Sequence, residues 1–93
     1  MAFNDFIDEK MRKKYMERRV SEIPKMLKAI EDKDFATLEM MGHKMKGIAS
    51  SFGFSILSEL GEKLEEAAKN KNLTQIEIYQ KQIGQFLIEY KFN

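Results

Sequence analysis

The chain has no cysteine, no tryptophan, one histidine and one proline among its 93 residues. Without cysteine there is neither a disulfide framework nor thiolate chemistry, and the composition fits a reducing compartment. One histidine with no cysteine beside it also lacks the usual ligand sets of a zinc site, so no metal site is expected. The opening residues, MAFNDFIDEK, hold no basic stretch followed by an apolar run. Nowhere does an apolar run approach the ~18 residues of a membrane span. A cytoplasmic protein without a membrane segment is therefore expected. Charge of one sign is lacking too: sixteen Lys and Arg stand against fifteen Asp and Glu, a net charge of +1. No whole-chain field draws the protein to nucleic acid. The basic cluster Lys10, Arg12, Lys13, Lys14, Arg18 and Arg19 is interleaved with Asp8, Glu9, Glu17 and Glu22, the pattern of a solvated helix face.

With 43% hydrophobic and 33% charged residues, the chain is too apolar for disorder and too polar for a membrane protein. Its length predicts one domain, residues 1–93, with one core. Five glycines and one proline leave few breaks, and strand-like alternation is absent, so an all-α fold is expected. A first segment from about Asp8 to Ile30 carries Met11, Tyr15, Met16, Ile23, Leu27 and Ile30 at helical spacings, with a kink or break near Pro24. Phe3, Phe6 and Ile7 form a short N-terminal lead-in. Asp34 is positioned to cap a helix from Phe35 to about Phe52, and Gly53 to close it. Ser55 is expected to cap the next helix, to about Lys69, and Thr74 with Glu77 to form a capping box for the last. In that last helix Leu73, Ile76, Ile83, Leu87 and Tyr90 make the apolar seam. Helices joined by such short turns are antiparallel neighbours, which predicts an up-down four-helix bundle.

The single histidine lies in the segment starting at Phe35. On a wheel of ~100° per residue, Phe35, Leu38, Met41, Met45, Ile48, Ala49 and Phe52 fall in one apolar arc, and His43 lies roughly 160° from its centre. His43 is thus expected to face solvent, flanked by Glu39 and Ser50. Lys46, three residues on, shares its face, and Gly47 lies directly beside it. Glycine inside a helix costs about 0.5–1 kcal/mol relative to alanine, so Gly42 and Gly47 ask for a reason, and close approach of another backbone is the natural one. With Ala36, Gly47 and Ser50 small, a protein surface can lie flat on this helix, with Met40 as an apolar contact at its edge. The six other methionines and most aromatics read as packing. A neutral imidazole is a competent nucleophile near neutrality, and its phosphoramidate retains high transfer potential, so His43 suits a reversible relay to and from an acyl phosphate. In phosphoryl transfer the protein supplies mainly position and charge, and the divalent metal can belong to a partner.

His43, Lys46, Gly47 and Gly53, with Leu57 and Leu60 after them, resemble the H-x-x-K-G-x-x-x-x-x-G-x-x-x-L pattern of histidine phosphotransfer domains. The run Gly42-His43-Lys44-Met45-Lys46-Gly47 looks like those of hybrid sensor kinases, and Ser51-Phe52-Gly53-Phe54 is similar to the phosphotransfer domain of chemotaxis histidine kinases. The likeness extends from about Met11 to the last helix. It implies that His43 is the phosphorylated residue, that Lys46 stabilises the phosphate, and that Gly47 leaves room for the phosphoryl group and a docking receiver. Many members hold the other ring nitrogen with Glu or Gln twenty-two residues after the histidine; here that residue is Glu65, on the flank of its helix. One departure is Ile48, where the family often has a small residue.

The resulting expectation is a phosphorelay intermediate of a two-component system. His43 exchanges phosphoryl with receiver aspartates or a partner kinase, without independent catalysis and without a cofactor of its own, Mg²⁺ being expected on the receiver. No kinase catalytic domain or nucleotide-binding glycine motif is present, so phosphorylation by another chain and a freestanding shuttle are expected, and the polar outer faces favour a monomer. A helical adaptor that binds receivers or kinases without carrying phosphate is the alternative, against which the retained His43 argues. A small hydrolase using His43 with Glu65 has no oxyanion donors or second nucleophile to recommend it.

Overall fold

Residues 8–92 are described by a computed structural model; the lead-in at Phe3, Phe6 and Ile7 lies outside the described residues. Five helices follow in order: α1 (Glu9–Ser21), α2 (Ile23–Glu31), α3 (Phe35–Ser51), α4 (Ser55–Lys69) and α5 (Leu73–Phe92). The break between α1 and α2 falls at Glu22. Pro24 sits in the first turn of α2, where the missing N–H removes no helical bond. Because the two short helices follow one another, they act as one side of a four-sided bundle. α3, α4 and α5 are the other sides, with α3 and α4 the most closely packed pair.

The core is built from Tyr15 and Met16 of α1, Met26 and Ala29 of α2, Leu38, Met45 and Ala49 of α3, Leu57, Leu64, Ala67 and Ala68 of α4, and Ile76, Ile83 and Leu87 of α5. Leu73 and Tyr90 of the expected α5 seam are half-buried. Met26 lies about three turns after the buried Tyr15 and so faces inward with it, while Leu27, a further ~100° round, is exposed, contrary to its expected inward position. Met11 is exposed as well.

Three connections share one geometry. At each, a residue in the left-handed region ends a helix: Lys33 at φ 54°, Gly53 at φ 83° and Lys71 at φ 54°. The following amide reaches back five residues, from Asp34 to the Ala29 carbonyl (2.8 Å), from Phe54 to Ala49 (2.9 Å) and from Asn72 to Ala67 (2.9 Å). These bonds satisfy carbonyls that a helix terminus otherwise leaves open. The same residue then begins the next helix. Asp34 caps α3 by accepting from the Thr37 amide at 3.2 Å, and Asn72 caps α5 by accepting from the Gln75 amide at 3.1 Å. Two expected caps are therefore corrected. Ser55 is the first residue of α4, whose cap position is held by Phe54 without a side-chain bond, and Thr74 with Glu77 lies inside α5, because the tight turn brings Asn72 to the cap first.

Arg12 also departs from the solvated face expected of it. Its Nε donates to the Phe52 carbonyl at 3.0 Å, closing the C-terminal end of α3. Nearby, the Tyr15 ring stacks on Phe52 with centroids 4.8 Å apart. Together these contacts tie the first helix to the end of the helix that carries His43.

Candidate functional site

The geometry of the site begins with two glycines. A Cβ on Gly42 would lie 2.5 Å from the Glu65 amide nitrogen and 2.6 Å from the Gly61 carbonyl oxygen, and a Cβ on Gly61 would lie 2.7 Å from the Lys46 amide nitrogen. No side chain fits at either place, so the backbones of α3 and α4 touch along this stretch. Ser58 adds a bond across the same seam, its hydroxyl donating to the Lys46 carbonyl at 2.7 Å. The close approach expected of Gly42 is thus made by the chain's own α4, and Gly42 itself is buried.

This seam corrects the helical wheel. The buried line of α3 runs through Leu38, Gly42, Met45 and Ala49, about 30° from the arc expected from the large apolar residues alone. Ile48, assigned to the core side, is in fact 41% exposed. The wheel weighed side-chain apolarity and treated Gly42 as neutral; the helix turns its glycine inward because only there can α4 come so near.

His43 lies on the opposite side of α3. Its side chain is 70% exposed, and Nδ1 stands 2.9 Å from Glu65 Oε2, whose side chain is only 14% exposed. An ionised carboxylate only accepts, so the tautomer that fits this contact carries its proton on Nδ1 and has its free lone pair on Nε2. Glu65 reaches from the flank of α4 because the glycine seam removes the side-chain layer that would otherwise separate the helices.

Ala36, Met40, Gly47 and Ser50, all exposed, continue the face of His43 along α3 at helical spacing. Ala36, Glu39, Met40, His43 and Glu65 line a shallow concavity. Among the described residues a Cβ on Gly47 would meet nothing within 4 Å; unlike Gly42, this glycine is not required by packing among them. Gly53 stands apart from the face, at the left-handed turn that ends α3.

Lys46, expected on the face of His43, also has a partner on α4. Its Nζ is 3.4 Å from Glu62 Oε2, and it lines a second concavity with Glu62, Glu65, Glu66, Lys69 and Asn70. Glu65 borders both concavities, with the imidazole in one and the ammonium in the other. Gly61, Ser58 and Glu62 were missed by sequence reasoning; of these only Gly61, a glycine inside a helix, gave a readable signal. Among the described residues no group of three or more His, Cys, Asp or Glu side chains is arranged to hold a metal ion, and no helix is long and apolar enough to cross a membrane.

A family model described as Hpt domain matches residues 10–89. No curated protein and no solved structure matches the chain.

Proposed function

The chain belongs to the Hpt-domain family, and from this premise we propose that it is a phosphoryl carrier of a two-component phosphorelay in which His43 is the carrying residue. The family as such implies histidine phosphotransfer in phosphorelays, with receiver domains and kinases as its kinds of partner. The observation that carries the finer reading is the exposed His43 ring held through Nδ1 by the largely buried Glu65 at 2.9 Å.

The step balances simply. The Nε2 lone pair attacks the phosphorus of a receiver's aspartyl phosphate, the N–P bond forms as the P–O bond breaks, and the aspartate leaves as a carboxylate. The Nδ1 proton stays on the ring, whose new positive charge is balanced by Glu65. The reverse step returns the phosphoryl group. Charge stabilisation and orientation supply most of such a reaction, and the Mg²⁺ belongs to the receiver. Lys46 stabilises the phosphoryl oxygens, and the face formed by Ala36, Met40, Gly47 and Ser50 admits the partner. On this reading the chain is a cytoplasmic monomer, one domain in extent, that is no enzyme on its own.

Incubation with a phosphorylated receiver and Mg²⁺ tests the assignment. An acid-labile, base-stable phosphate is expected on the wild type and absent from His43→Gln. No label on the wild type with any of several receivers would overturn the reading, and receiver binding without label would favour an adaptor instead.

A further inference from the structure

Lys46 and His43 share a face of α3 by spacing, yet they line different concavities. What draws Lys46 toward α4 is Glu62, at 3.4 Å from its ammonium. We infer that Glu62 is a competitor for Lys46: it holds the cation on α4 while His43 is free, must release it when His43 carries phosphate, and so raises the phosphoryl transfer potential. This inference rests on the carrier reading of His43.

Glu39 and Glu65 line the concavity of the imidazole, and Lys46, Glu62, Glu65, Glu66 and Lys69 line the one that shares Glu65 with it. Carboxylates outnumber ammonium groups there, so a dianionic phosphoryl group arrives in a field of its own sign and depends on a cation that is already occupied. The Lys46–Glu62 pair is partly exposed on both sides, with side chains 44% and 57% exposed, and exposed pairs of this kind are weak and readily exchanged. The phosphoryl group, with more charge and three acceptor oxygens, is the stronger partner for an ammonium. Lys46 therefore changes partner on phosphorylation. The lost contact, together with the Glu62 charge left in the adjoining concavity without Lys46, is a penalty borne only by the phosphorylated state. Such a penalty makes phosphohistidine a better donor. Glu62 touches no reacting atom; it is a positioning residue acting through Lys46.

The test uses the wild type, Glu62→Gln, Lys46→Gln and the double variant, each phosphorylated with phosphoramidate, a small donor that needs no receiver. The ³¹P resonance of phosphohistidine is followed against pH to give the midpoint of its second phosphoryl ionisation. Both altered side chains are partly exposed, and circular dichroism verifies that helix content is retained. Glu62→Gln is expected to lower the midpoint by about half a unit, equivalent to about a threefold gain for the dianion. In the Lys46→Gln background the same change is expected to shift the midpoint by less than about half as much. An unchanged midpoint in Glu62→Gln, or an equal shift in both backgrounds, would overturn the inference while leaving the carrier function standing. Failure of the wild type to take phosphate on His43 would remove the carrier reading itself and this inference with it.

Discussion

Gly42 and Gly61 face each other across the α3–α4 seam so closely that a Cβ on Gly42 would lie 2.6 Å from the Gly61 carbonyl oxygen. That separation sets where Glu65 stands relative to His43. A methyl group at either glycine forces the helices apart, and the nearest atoms are backbone, which does not yield cheaply. Gly42→Ala and Gly61→Ala are each expected to lose about 1–3 kcal/mol by overpacking, measured by urea unfolding. Stability equal to the wild type in both variants would show that the seam is not tight.

Gly47 predicts the opposite sign. With no described residue where its Cβ would be, Gly47→Ala should gain about 0.5–1 kcal/mol from helix propensity alone. Gly47→Leu should leave the helix content intact while blocking transfer from a phosphorylated receiver. Transfer at the normal rate in Gly47→Leu would refute the role given to this glycine in partner access.

Glu65 is tested by shortening it. Glu65→Ala removes the Nδ1 partner of His43, a hydrogen bond worth about 1.5–3 kcal/mol once the ring becomes charged as phosphoryl is taken up and little while the exposed ring is neutral. Phosphoryl acceptance by His43 should fall about tenfold or more in a rapid-quench assay, with thermal stability little changed. An unaltered rate would mean that the 2.9 Å contact does not assist the transfer.

The three helix ends separate by residue type. Lys33 and Lys71 adopt the left-handed conformation without being glycine, which costs each about 1 kcal/mol. Part of that is offset on substitution by the greater freedom glycine gives the unfolded chain, so Lys33→Gly and Lys71→Gly should each stabilise by about 0.5 kcal/mol. Gly53→Ala, at φ 83°, should destabilise by about 1 kcal/mol. Denaturant midpoints decide all three.

Asp34 gives a pH dependence. The Thr37 hydroxyl and then the Thr37 amide bond its carboxylate and hold it below its ordinary value of 3.8. Since the folded value is the lower one, its contribution is present above 3.8 and is lost as pH falls through the folded value. The stability difference between wild type and Asp34→Ala should therefore persist at neutral pH and close in acid below 3.8. A difference that stayed constant down to the acid transition would contradict the capping role.

Much of this was legible in the chain. The helix boundaries near Asp34, Gly53 and Lys69 were readable because caps and turns are local, as was the exposure of His43, which depends only on its angle from the apolar residues of its own helix. Ile48 and Leu27 were misplaced because an apolarity count follows the large apolar residues, whereas the buried lines run through Gly42 in α3 and through Met26, in phase with Tyr15, in α2. Arg12 was read as part of a solvated patch because its partner, the Phe52 carbonyl, is forty residues away.

The sequence by itself determined an all-α chain, the positions of its turns and a solvent-facing histidine with a cation three residues on and glycine four residues on. Only the tertiary structure decided what those neighbours do. Gly42 and Gly61 bring two backbones into contact, and this contact, made between residues distant in the chain, delivers Glu65 to Nδ1 of His43 and Glu62 to the ammonium of Lys46. Helical spacing fixes the neighbours a residue has along its own helix. The distance between helices, set by the smallest side chains in the seam, fixes the rest.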